Sequence, residues 1–108
     1  MGARLVYSTF PDMAAAEKAG RELVEAGLIA CANILPGMVS LYRWEGALER
    51  ADEVVLIAKT TQGRVSEVME ALKARHPYEV PAILVLEIKE GDPAYLSWIA
   101  EQCFRKGG

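Results

Sequence analysis

Ile29-Ala30-Cys31-Ala32-Asn33-Ile34-Leu35-Pro36-Gly37-Met38-Val39-Ser40-Leu41-Tyr42-Arg43-Trp44-Glu45-Gly46-Ala47-Leu48 is mostly apolar or aromatic and is interrupted once, at Pro36-Gly37. Proline cannot donate to a central ladder, so this stretch predicts one long strand with a bend or bulge at the interruption. Beyond it, Met38, Ser40, Tyr42 and Trp44 fall on one face and Val39, Leu41 and Arg43 on the other. Neither set is purely polar, so both faces are expected to meet protein. A turn near Gly46 or at Arg50-Ala51-Asp52 then returns the chain into a continuous apolar run over residues 54–60, and the two strands make a hairpin.

A helix and a strand flank this hairpin on each side. Residues 5–10 form a short apolar, β-branched run closed by Pro11-Asp12, which suits a buried strand followed by a helix start. Ala16, Ala19, Leu23 and Ala26 then recur at helical spacing, with Glu17 and Arg21 paired on the outer face and Gly27 at the left-handed end position. After the hairpin, Thr61 can cap a second helix whose Val65, Val68, Met69 and Leu72 follow a core-facing stripe and which Pro77 stops. Residues 82–88 form a last β-prone run, and Asp92-Pro93 opens a final helix carrying Tyr95, Leu96, Trp98, Ile99 and Cys103. The order β-α-β-β-α-β predicts an α+β, ferredoxin-like sandwich: a four-stranded antiparallel sheet with both main helices on one face and an extra C-terminal helix. The opposite sheet face needs a cover from that last helix or from another subunit.

The 108 residues suit a single domain, residues 1–108. Hydrophobic residues make up 52% of the chain, slightly above the ordinary range, which favours extra burial through association. The net charge of -3, with Lys and Arg dispersed, argues against a nucleic-acid partner. No apolar run is long enough to cross a bilayer, and Met1-Gly2-Ala3-Arg4 leads straight into strand-like sequence without the parts of a signal peptide. The expectation is a cytoplasmic protein with no membrane partner, in which Cys31 and Cys103 are thiols rather than a bridge.

Candidates for chemistry are few. His76-Pro77-Tyr78-Glu79 brings together an imidazole, a phenol and a carboxylate. His76 can be a metal ligand through a neutral ring nitrogen, or a helix-end residue that meets the dipole and the free carbonyls. Cys31 offers a soft sulfur for copper(I), against its reading as a small buried hydrophobe, and Cys103 has no ligand partner at fixed spacing. Tyr42, Trp44 and Glu45 can line a ligand pocket or form a subunit interface. Lys59 can reach the surface or pair with Glu45 or Glu53. No nucleophile elbow, phosphate-binding loop, dinucleotide fingerprint or Cys-x-x-Cys pair is present, so an enzyme is not expected.

Several segments, in order, resemble the CutA family of divalent-cation tolerance proteins: residues 28–34, Leu35-Pro36-Gly37, Ser40-Leu41-Tyr42-Arg43-Trp44-Glu45-Gly46, Ile57-Ala58-Lys59-Thr60, His76-Pro77-Tyr78-Glu79-Val80-Pro81 and Tyr95-Leu96-Ser97-Trp98. The resemblance implies a homotrimer similar to PII signalling trimers, with the long strand pairing across subunits. It also implies tolerance of divalent cations, copper among them, and copper as a bound cation. The copper positions it implies are a cysteine in the first strand and two adjacent histidines; here these positions hold Ser8, Arg75 and His76, and only His76 is of a ligand type. A PII-like small-molecule sensor, with Tyr42, Trp44, Glu45 and Lys59 near a subunit boundary, is the alternative function.

Overall fold

Alternation along two neighbouring strands sets the core. In β1 (Ala3–Phe10), Val6, Ser8 and Phe10 stand opposite Ala58, Leu56 and Val54 of β3 (Ala47–Thr61), and all of these are buried. The computed structural model describes residues 2–104. Between these strands run α1 (Met13–Glu25) and β2 (Cys31–Trp44); after β3 come a short 3-10 turn (Gln62–Arg64), α2 (Val65–Arg75), β4 (Ile83–Glu87) and α3 (Pro93–Gln102). The strands form one antiparallel sheet in the order β2-β3-β1-β4, the four-stranded sheet expected.

The helices α1 and α2 lie on the face that carries Val6, Phe10 and Leu56. They contribute Ala16, Ala19 and Leu23, and Val68 and Leu72, to one buried cluster. Small residues let α1 approach β2 closely: a Cβ on Gly20 would stand 3.1 Å from the Ala32 methyl. Asp12 caps α1 by accepting from the Ala15 amide at 2.8 Å. Gly27, at φ +74°, ends it where expected; its amide donates to the Val24 carbonyl, and that of Leu28 to Leu23, the paired bonds of a Schellman motif. Asp92 caps α3 in the same way, through the Tyr95 amide.

The third helix crosses the opposite face. Tyr95 lies over Lys59, which belongs to the other alternation of β3, and Ile99, one turn on, is buried. Cover there is partial, since Leu35, Leu84 and Leu86 remain exposed.

Four local expectations are corrected. Of the two expected hairpin turns the one near Gly46 holds, as Glu45-Gly46 with positive φ at both residues, whereas Arg50-Ala51-Asp52 lies inside β3, which begins at Ala47 rather than at residue 54. The hairpin extends past β1, so residues 47–53 need no apolar alternation to stay in the strand. Met69 is exposed, because α2 reaches the core through Val68 and Leu72, with Ala71 packed beside them. Thr61 makes no capping bond; the 3-10 turn intervenes before α2. Among the described residues Glu17 and Arg21 form no ion pair; Lys18 meets Glu22 at 3.0 Å instead, and Arg75 reaches the same carboxylate from α2 at 2.7 Å.

Leu56 is fully buried where β3, β1 and both helices meet. Leu56→Ala is expected to lower unfolding free energy by about 2–5 kcal/mol, read as a lower denaturant midpoint at unchanged slope.

Candidate functional site: the hairpin cleft and the His76 corner

The bulge at Pro36-Gly37 decides which side chains share a face. Leu35 pairs with Val55 and Met38 with Glu53, so β2 takes an extra residue and its alternation inverts. Tyr42 therefore stands opposite Glu49, and Trp44 opposite Ala47, on the face that also carries Glu53. Gly37, at φ +84°, supplies the backbone conformation that the bulge needs. The segment after α2 folds over this face. Together they enclose a cleft of about 970 Å³, whose lining includes Tyr7, Thr9, Tyr42, Trp44, Glu49, Glu53, Tyr78, Glu79 and Val80.

Hydrogen bonds hold that segment in place. His76 Nε2 lies 2.7 Å from the Thr9 carbonyl, so this nitrogen carries the proton and donates. Nδ1 is then the acceptor, and it takes the Tyr78 amide at 3.1 Å. The imidazole stacks on Phe10 at 4.2 Å between centroids. Burial pushes its pKa below the usual histidine value, against the Thr9 bond and the Glu53 charge, which favour the cation. The Tyr78 hydroxyl donates to Glu53 Oε2 at 2.8 Å. Burial, and then the bond to Glu53, raise the phenol to about 12.

The structure brings some sequence candidates together and separates others. Tyr42 and Trp44 line the cleft. Glu45 sits in the turn at φ 49° and is not part of the lining. Lys59 lies at the far end of β3, opposite Cys31, where its ammonium donates to the Tyr95 hydroxyl at 3.0 Å rather than pairing with Glu45 or Glu53. That bond is the main cause of its raised pKa. Cys31 Sγ is 4.0 Å from the same hydroxyl, and both cysteines are free thiols. Cys103 is half-buried against Thr60, and burial raises its pKa. The His76 ring bonds the β1 backbone while its amide donates to the Lys73 carbonyl of its own helix, and the Arg75 guanidinium takes the Ala71 carbonyl.

The metal positions implied by the family resemblance hold Ser8, Arg75 and His76. Ser8 Oγ is buried without a hydrogen-bond partner among the described residues, Arg75 is bound to Glu22, and both His76 nitrogens are engaged. Among the described residues no three His, Cys, Asp or Glu side chains are gathered to hold a metal ion. Sequence reasoning missed Glu49 and Glu53 as cleft residues. Their spacing along one strand face was the signal, hidden while β3 was expected to start at residue 54.

The raised Tyr78 phenol makes a pH prediction. An acid whose folded pKa exceeds its unfolded value, here about 12 against 10.0, stabilises the fold fully below pH 10 and loses that contribution as pH rises toward 12. In Tyr78→Phe the loss of stability above pH 10 is expected to be shallower, and the phenolate absorbance titration is expected to lack its highest-pH component.

A family model described as CutA1 divalent ion tolerance protein matches residues 4–102. The divalent-cation tolerance protein CutA of Citrobacter koseri is 45% identical over 95 residues, covering 88% of this chain and 83% of the relative. Among solved structures, CutA from Xylella fastidiosa superposes with a TM-score of 0.94 at 38% identity, covering 96% of this chain and all of that one. The divalent cation tolerance protein of Thermus thermophilus does so at 0.90 and 41% identity, covering 93% and 97%. With nearly the whole chain matched both in sequence and in fold, the chain belongs to the CutA family of divalent-cation tolerance proteins.

Proposed function

We propose that the protein works as a cytoplasmic, non-enzymatic homotrimer of ferredoxin-like subunits, arranged like PII signalling proteins. It serves tolerance of divalent cations, copper among them, through ligands drawn from more than one subunit. The hairpin carries this reading. Among the described residues, 47–53 of β3 pair only with β2, which leaves their other edge open, and the outer edge of β2 is open along its length. Open edges of this kind recruit another strand, and a second copy offers the matching one. The exposed Leu35, Leu84 and Leu86 on the adjoining face supply apolar area for the same contact. Light scattering at micromolar concentration is expected to give about three times the 11.8 kDa chain mass; a monomer mass would sink the reading.

Direct copper binding rests on His76. Nδ1 can meet a cation only by giving up the Tyr78 amide, with the neighbouring Glu79 or groups of other subunits completing the shell. Binding is therefore weak and needs the neutral ring, which burial favours. Calorimetry with copper(II) is expected to show binding weaker by about tenfold, roughly 1.4 kcal/mol, in His76→Ala. An unchanged isotherm removes His76 as a ligand.

The cleft favours a second reading, a PII-like small-molecule sensor. Its 970 Å³ and aromatic walls match the size and lining of ligand sites, and the open edge of residues 47–53, where the proposed trimer would pair, runs beside it.

A further inference from the structure

We infer that the hairpin cleft takes an organic cation, an alkylammonium or guanidinium group, between its aromatic walls and the Glu53 carboxylate. The inference rests on the cleft being a small-molecule site and adds the charge of its ligand.

The chemistry of the walls selects this class. Tyr7, Tyr42, Trp44 and Tyr78 bring π-faces, Glu49 and Glu53 bring carboxylates, and no Lys, Arg or His is found among the described residues that line the cleft. The basic side chains of the hairpin are held elsewhere: Arg43 donates to the Gly46 carbonyl and Arg50 pairs with Asp52, both at register positions of the opposite face. Glu53 is only 9% exposed, yet its one partner among the described residues is the neutral Tyr78 hydroxyl on Oε2, and no cation pairs with it there. A carboxylate so far removed from water needs a countercharge.

Other ligand classes fit less well. An anion would meet Glu49 and Glu53. An uncharged apolar ligand would satisfy the rings and leave Glu53 further desolvated. A hard metal ion needs several oxygen ligands in a close shell, and the described residues gather no such group. An organic cation needs one carboxylate and ring faces, and it gains from both.

The test uses Trp98→Phe protein, in which Trp44 is the remaining tryptophan. Choline is titrated against its uncharged isostere 3,3-dimethylbutan-1-ol, with Trp44 emission and light-scattering mass recorded together. Choline is expected to saturate the signal at least about tenfold more tightly than the isostere, with mass unchanged. Glu53→Gln is expected to remove about tenfold of the choline affinity and leave the isostere unaffected, and Glu49→Gln, farther out on the hairpin, about threefold. Equal affinities for the two probes, or choline binding unchanged in both variants, overturn the inference while leaving a small-molecule cleft standing. Failure of both probes to saturate overturns the cleft reading with it. A fall in mass as choline binds also overturns it, because the occupant is then a basic side chain of a second copy.

Discussion

Everything in this chain hangs on the register of β3. The strand runs for 15 residues, and its two alternations serve different ends of the molecule. Val54, Leu56, Ala58 and Thr60 face the helices and are buried, while Glu49 and Glu53 continue the other alternation into the cleft. A slip of one residue would carry carboxylates toward the core and aliphatic side chains out of it, so burial at the inner half fixes the chemistry of the outer half. The bulge in β2 completes the arrangement. Without the extra residue, Leu41 would stand opposite Glu49 where Tyr42 now does, and the Arg43 guanidinium would take the place of Trp44 opposite Ala47.

The cleft is closed on its second side by polar bonds more than by packing. From the Thr9 carbonyl the chain of contacts passes through both nitrogens of His76 to the Tyr78 amide, and from the Tyr78 hydroxyl to Glu53. Val80, just beyond, is 74% exposed, so little apolar burial anchors the segment there. Each bond is worth on the order of 1 kcal/mol net, but removing one partner strands a half-buried polar group at greater cost. The neutral imidazole is an essential joint in this chain, since a proton on Nδ1 would eject the Tyr78 amide. As pH falls through the ordinary histidine range, the unfolded chain takes up that proton before the folded one does, and the contribution of this joint to stability declines.

Much of this is legible in the sequence. The two periodicities place the strands and helices in order, Asp12, Gly27 and Asp92 mark helix ends, and Pro36-Gly37 announces the bulge together with the faces it creates. What escapes has a common cause: distance from the core. Residues 47–52 lie beyond β1 and are mostly exposed, so Arg50-Ala51-Asp52 could read as a turn. Met69 matches a core stripe wider than the one α2 uses. Glu22 finds Arg75 across two helices, a contact no local spacing encodes. Lys59 is drawn away from the carboxylates by a tyrosine far along the chain, on α3.

The corner where the family resemblance pointed to copper follows the same logic of burial and pairing. Ser8 occupies an inward position of β1 between Leu56 and Ile83, where an apolar or thiol side chain would sit without loss and a hydroxyl finds no partner among the described residues. A buried unsatisfied hydroxyl costs about 1–3 kcal/mol, so this residue is tolerated by the fold rather than favoured by it. Arg75 is the reverse case: the guanidinium that cannot ligate a metal ties α2 to α1 through Glu22 and closes a helix carbonyl as well. His76 remains, bound at both nitrogens. At this corner the charged and ligand-type groups are engaged, Arg75 with Glu22 and His76 with Thr9 and Tyr78, whereas in the cleft Glu53 has the neutral Tyr78 hydroxyl as its partner among the described residues. An organic cation in the cleft would meet the Glu53 carboxylate directly, whereas a metal ion at His76 must first displace the Tyr78 amide.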